Sequence, residues 1–155
     1  MLKVGDVAPA INVTTHAGER FVLSELRGLC TVVYFFPKAF TPGCTAEAKT
    51  FRDNYIELQM VGANVVGISR DNMKTQCSFA ASTKVPFPMI ADEDGTICRA
   101  YDVLYPLIGL AQRITYVVNT EQIIEAAFRH HLDAKAHRND VLRFVNTKFQ
   151  GLLPR

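Results

Sequence analysis

Four cysteines stand at positions 30, 44, 77 and 98, and the residues around Cys44 are the ones that favour reactivity. Thr41 is a good helix N-cap, Pro42 suits the first helical position, and Cys44 then falls in the first turn. There it faces backbone N–H donors and the positive end of the helix dipole. Both favour a thiolate, the nucleophilic form of cysteine.

The helix alone is too weak for this task. Moving a thiol from its ordinary pKa of ~8.5 to a working value near ~6 takes about 3.4 kcal/mol. A helix terminus supplies about 0.3–1 kcal/mol, up to ~2 in favourable partly buried geometry. A cation ~4 Å from the sulfur adds roughly 4 kcal/mol at an effective dielectric near 20, before desolvation is counted. Arginine suits this role best, being always charged and offering a planar fork of donors.

The elements that must hold such a site can be read along the chain. Ala10 to Thr15 and Glu19 to Val22 flank an Ala17-Gly18 turn and predict an N-terminal β-hairpin leading into a turn at Leu23 to Leu26. Val32, Val33, Tyr34, Phe35 and Phe36 form a continuous β-branched and aromatic run, the pattern of a strand covered on both faces, and Pro37 stops it. A helix is expected from Pro42 to about Val61, with Phe51, Tyr55 and Leu58 as its inner stripe and Gly62 as a left-handed C-cap. Asn64 to Ser69 is the next strand, which makes a βαβ unit with parallel strands.

A second helix, capped by Asp71 or Asn72, should run to about Thr83 with Met73, Phe79 and Ala80 inward, before an extended segment at Phe87 to Ala91. Asp92 to Gly95 is a turn, and a short helix, Thr96 to Tyr101, follows. Arg113 to Asn119 and Ile123 to Arg129 predict an antiparallel hairpin around Thr120-Glu121. Asp133 can cap a last helix from Ala134 to about Gln150, with Val141, Phe144, Val145 and Phe149 on one face and Gly151 beyond it.

The chain of 155 residues fits one domain, 1–155, with 48% hydrophobic residues to fill a core. Its 17 Lys+Arg against 15 Asp+Glu leave a net charge of +2 without a basic block, so nucleic acid is not an expected partner. No apolar run reaches membrane-span length and MLKVGDVAPAINV lacks the layout of a signal peptide, so the mature chain is expected to start here. The absence of a Cys-x-x-Cys pair argues against a zinc site or a dithiol motif, and a reducing cytoplasm suits these thiols. His16, His130, His131 and His137 show no ligand spacing and are expected at the surface.

Pro37, Thr41 and Cys44, in the order Pro-x-x-x-Thr-x-x-Cys and followed by Thr45 and Glu47, resemble the active-site loop of the peroxiredoxins. The longer string FFPKAFTPGCTAEAKTFRD is similar to the Q-type subgroup, the bacterioferritin-comigratory proteins. The resemblance implies an α/β, thioredoxin-like fold with an N-terminal hairpin extension and a central mixed sheet flanked by helices. It implies a peroxidase that reduces hydrogen peroxide and small organic hydroperoxides through a sulfenic acid on Cys44, with thioredoxin or a similar thiol as reductant. No cofactor or metal is implied, and the chain would be a monomer or weak homodimer.

By the same resemblance, Pro37 would shield the site, Thr41 would hydrogen-bond the peroxide, and Arg113, in RITYVV, would be the cation that orients peroxide and thiolate. Gly43 and Cys44 would contribute backbone donors. Glu47 matches an acidic position frequent in the subgroup, and an ordinary solvated helix-face role fits it equally. Many Q-type members carry a resolving cysteine where this chain has Lys49. Cys77 on the following helix, Cys98, or an external thiol are then the candidates for resolving the sulfenic acid. Cys30 is expected in the core. The apolar segment Val103 to Leu110 could pack over the cleft, form a dimer contact or be a buried loop. A disulfide reductase would need a cysteine where Thr41 stands, and a non-catalytic binding or chaperone-like member of the fold is the alternative.

Overall fold

The computed structural model describes residues 1–129 and 134–149. The N-terminal hairpin pairs β1 (Asn12–Thr14) with β2 (Arg20–Val22), and Gly18 takes the left-handed φ of 78° that its turn requires. A single 3-10 turn, Leu23–Glu25, leads from it.

The main sheet contains β3 (Cys30–Phe35), β4 (Ala63–Ser69), β5 (Met89–Ala91), β6 (Ile114–Asn119) and β7 (Ile124–Arg129). Their spatial order is β5-β4-β3-β6-β7, with β3, β4 and β5 parallel and β6 and β7 joined antiparallel. The central strand β3 is buried along its whole length, as its unbroken apolar run requires. It begins before that run because Cys30 and Thr31 pair with Ala63 and Asn64.

Among the described residues five helices flank these strands: α1 (Pro42–Asp53), α2 (Tyr55–Met60), α3 (Met73–Thr83), α4 (Thr96–Ala100) and α5 (Ala134–Phe149). The single helix expected from Pro42 to Val61 is broken at Asn54, whose φ, ψ of −103°, 6° leave the helical basin. Its side-chain amide donates to the Thr50 carbonyl at 2.8 Å, a local bond that competes with the helical ladder. Gly62, at φ 83°, closes α2.

On α3 the buried stripe is Gln76, Phe79, Ala80 and Thr83. Met73 is exposed, contrary to expectation. The inward stripe starts one turn later, where the Gln76 amide reaches Ser69 Oγ and the Ile90 carbonyl. On α5, Val141 and Val145 are buried, and Phe144 meets Phe128 edge-on at 5.9 Å. Asp133 and Gly151 lie outside the described residues, as do the side chains of Phe149 and His137 and the residues His130 and His131.

The β6–β7 hairpin forms without a glycine in its turn. Gln122 adopts the left-handed conformation, and Asn119 Oδ1 accepts from the amides of Glu121 and Ile123 at 2.9 and 3.0 Å. The asparagine side chain thus takes over work that a glycine turn would leave to the backbone.

Alternation along β3 divides the core. Val32, Tyr34 and Phe36 pack with Phe51, Leu58 and Phe79, whereas Val33 and Phe35 pack with Ile68, Ile90, Tyr101 and Tyr116. Gly67 lies opposite Tyr34, and a Cβ there would stand 2.6 Å from Met89 Sδ and 2.8 Å from the Tyr34 hydroxyl. Gly67→Ala is therefore expected to lower stability by about 1–3 kcal/mol through overpacking. Urea denaturation measures this, and an unchanged midpoint would contradict the packing.

Candidate active site

The end of β3 fixes the site. In the antiparallel register of β3 with β6, Phe35 pairs with Ile114, so Arg113 stands level with Phe36 where the loop to α1 begins. Side chains alternate along β6, which puts Arg113 on the same face as Val117 and Tyr34, the face covered by α1. A residue 69 positions from Cys44 is brought against it: Arg113 Nη2 donates to Cys44 Sγ at 3.6 Å.

Cys44 itself is buried in the first turn of α1. The first intrahelical bond runs from Thr45 N to Thr41 O at 2.9 Å, so the amides of Gly43 and Cys44 lie ahead of any helical acceptor. Thr41 occupies the N-cap position with an extended backbone, but its hydroxyl donates to the Lys38 carbonyl at 2.7 Å and makes no cap bond. The expected side-chain cap is thus replaced by a bond within the loop. Pro37 is half-buried at the end of β3, the point where the chain turns away from the sheet.

Glu47 is the residue whose setting differs most from a solvated helix face. It is fully buried, and its carboxylate accepts from Arg113 Nη1 at 2.9 Å. Burial works against the charge of Arg113, but the Glu47 carboxylate and the Cys44 sulfur outweigh it and hold the guanidinium protonated. Arg113 Nε is a buried donor with no hydrogen-bond partner among the described residues. Tyr34 lies beneath, its phenol pushed well up by burial and then by the negative charge of Glu47 and Cys44. A sequence signal for Glu47 did exist: it is three residues after Cys44 and four before Phe51, hence on their face of the helix.

Asp71 was expected only as a cap. Asn72 Oδ1 takes that position, accepting from Thr75 N at 2.8 Å, while Asp71 Oδ2 accepts from Ala39 N at 2.9 Å and Ser69 Oγ at 2.7 Å. Asp71 therefore ties the loop before Cys44 to the end of β4.

The other cysteines occupy different environments. Cys30 is pushed up to about 12 by burial and then by Glu125. Cys98 is raised further by burial and then by Asp92. Both are neutral thiols at physiological pH. Cys77 is half-buried, and its thiol donates to the His16 carbonyl at 3.2 Å, toward the N-terminal hairpin. His16 is half-buried, not superficial, because its Nδ1 accepts from Met89 N at 3.0 Å and so completes the edge of β5. No metal-binding cluster occurs among the described residues, and no helix among them is long and apolar enough to cross a membrane.

Residues 4–127 match the AhpC/TSA family. The chain is 35% identical over 133 residues to a putative peroxiredoxin, bcp, of Coxiella burnetii, covering 82% of this chain and 88% of that protein. The chain belongs to the peroxiredoxins. It is a thiol-dependent peroxidase. Similarity extends to the chloroplastic peroxiredoxin Q of Gentiana triflora, 33% identical over 144 residues, which is 92% of this chain and 66% of that one. Among solved structures, the peroxidoxin BcpB of Mycobacterium tuberculosis superposes with a TM-score of 0.87 at 31% identity, covering 95% of this peroxiredoxin and 98% of that chain. The bacterioferritin comigratory protein of Xanthomonas campestris, studied for alkyl peroxide reduction in trapped intermediate and ligand complexes, gives 0.81 at 29% identity, covering 90% and 92%. The sheet and helices of this peroxiredoxin are accordingly the thioredoxin-like fold expected from the loop sequence.

Proposed function

We propose that Cys44 is the thiol that attacks the peroxide, with Arg113, Thr41 and Pro37 as the residues that organise the attack. The observation that carries this reading is the Arg113 guanidinium, which meets the Cys44 sulfur at 3.6 Å and the buried Glu47 carboxylate at 2.9 Å. It supplies the cation that the helix terminus alone could not replace. Glu47 acts by fixing that guanidinium.

The Cys44 thiolate bonds to the terminal peroxide oxygen, the O–O bond breaks, and water or an alcohol leaves after taking up one proton. Sulfur is oxidised to the sulfenic acid and the peroxide is reduced. Charge grows on the leaving oxygen, and the unpartnered Nε of Arg113 and the amides of Gly43 and Cys44 are donors available to it. The Thr41 hydroxyl, held by the Lys38 carbonyl, keeps its lone pairs for the peroxide proton.

The substrates are hydrogen peroxide and small organic hydroperoxides, in keeping with the alkyl peroxide activity of the Xanthomonas relative. The reductant is thioredoxin or a similar dithiol protein, the compartment is the cytoplasm, and the chain works as one domain, a monomer or weak homodimer. Cys77 or an external thiol captures the sulfenic acid. A bridge from Cys44 to Cys77 requires the Cys77 thiol to leave His16 and α1 to open at its first turn.

Mass spectrometry after one equivalent of hydrogen peroxide tests the assignment. Cys44 is expected to gain one oxygen or to enter a disulfide, and Cys77→Ser tells which route operates. An unmodified Cys44 in the presence of consumed peroxide would refute the reading.

A further inference from the structure

The end of β4 anchors two loops, one of which leads to Cys44. Arg70 Nη1 donates to Gly109 O at 2.6 Å and holds the segment Val103 to Leu110, which leaves Leu107 and Ile108 exposed and so is not a buried loop. The neighbouring Asp71 holds the other, accepting from Ala39 N at 2.9 Å. This second loop carries both Pro37 and Thr41.

Its geometry has to be imposed. Phe40 stands at a left-handed φ of 67°, a conformation unfavourable for a bulky side chain that persists only where the surroundings enforce it. Restraints lie on either side of it: the Ala39 amide on Asp71, and the Thr41 hydroxyl on the Lys38 carbonyl at 2.7 Å. The second closes the loop on itself, whereas the first ties it to β4. The Phe40 ring also meets Phe79 at 5.3 Å, but an apolar contact lacks the direction of a hydrogen bond. Ala39 is buried, and without the carboxylate its N–H would lose its acceptor.

The carboxylate is itself fixed. The Ser69 hydroxyl donates to Asp71 Oδ2 at 2.7 Å, while Gln76 Nε2 donates to Ser69 Oγ at 3.2 Å and to Ile90 O at 2.7 Å. Ser69 and Gln76 are fully buried, so a relay of buried groups runs from β5 through α3 to Asp71. Such a network makes a rigid anchor. The contact of Arg113 with Cys44 is made elsewhere, between the start of β6 and α1.

We propose that Asp71 is a positioning residue for the peroxidase reaction: by holding the Ala39 amide it sets the place of the Thr41 hydroxyl, and so of the peroxide, without setting the thiolate on Cys44. The proposal rests on Cys44 as the attacking thiol and Thr41 as its peroxide-binding neighbour. A selective defect follows. Oxidation by hydrogen peroxide needs both the thiolate and the placement, whereas alkylation by iodoacetamide, in which the sulfur displaces iodide, needs the thiolate alone.

The test compares wild type, Asp71→Ala, Asp71→Asn and Ser69→Ala by stopped-flow oxidation with hydrogen peroxide and by the pH profile of iodoacetamide alkylation, followed at Cys44 by mass spectrometry. Asp71→Ala is expected to lose roughly tenfold in the second-order rate of oxidation, since a misplacement of about 1 Å can cost up to ~10²-fold. Its alkylation should be no slower, with the pH midpoint unmoved. Asp71→Asn keeps an acceptor for the Ala39 amide and should restore most of the rate. Ser69→Ala keeps the carboxylate but removes the hydroxyl that steadies it, and should lose several-fold in oxidation alone; it carries the test if Asp71→Ala does not fold. Unchanged oxidation in Asp71→Ala and Ser69→Ala, equal losses in both reactions, a shifted alkylation midpoint, or no rescue by asparagine would overturn the proposal. Failure of wild-type Cys44 to oxidise would instead defeat the peroxidase site, and the role of Asp71 with it.

Discussion

Cys44→Ser is expected to lower peroxide consumption by at least about 10³-fold while leaving the fold intact. A serine hydroxyl stays protonated beside Arg113 and is a far weaker nucleophile, whereas the change in volume at this buried position is slight. The remaining thiols cannot take over. Cys30 and Cys98 are held protonated by burial and by the carboxylates of Glu125 and Asp92. Cys77 lies in the middle of α3, away from the helix N-terminus, with its S–H donated to the His16 carbonyl. A peroxide-consumption assay with dithiothreitol, alongside circular dichroism, measures both halves. Activity above about one per cent in a folded variant would move the nucleophile elsewhere.

What the sequence made legible here followed the range of the interactions involved. The strand of Val32 to Phe36 was readable because burial on both faces leaves an unbroken apolar run. The helix start at Pro42 was readable because it depends on three neighbouring residues. Arg113 carried no such local mark: its position against Cys44 depends on the β3–β6 register, set by the whole sheet. Only the resemblance of RITYVV to a family pattern singled it out. Glu47 was half legible, since spacing gives its face but not what covers that face. The break at Asn54 and the exposure of Met73 were missed for another reason. A side-chain amide folding onto Thr50, and a buried stripe anchored by Gln76, are choices that periodicity does not encode. Asp71 shows the same limit, because two adjacent capping residues look alike until one is needed by the loop before Cys44.

Removing Arg113 should separate its structural work from its chemical work. In Arg113→Met, the fully buried Glu47 loses the guanidinium that balances it, and the cost of breaking a buried pair is about 3–5 kcal/mol. The Cys44 sulfur loses the cation that stands 3.6 Å from it, and peroxide oxidation should slow by roughly 10²–10³-fold. Replacing both partners, Arg113→Met with Glu47→Met, removes the carboxylate together with its guanidinium and should recover most of the stability, since paired buried charges are often no more stabilising than apolar residues of similar volume. Activity should not return, because the cation beside the sulfur is still missing. Glu47→Gln alone keeps a hydrogen-bond acceptor for Nη1, so the arginine stays in place and the rate should fall only several-fold. Urea denaturation and stopped-flow oxidation of the four proteins read the two effects independently. Recovery of both stability and rate in the double variant would mean that Arg113 serves Cys44 only by keeping α1 folded, and the role of its charge in the reaction would have to be abandoned.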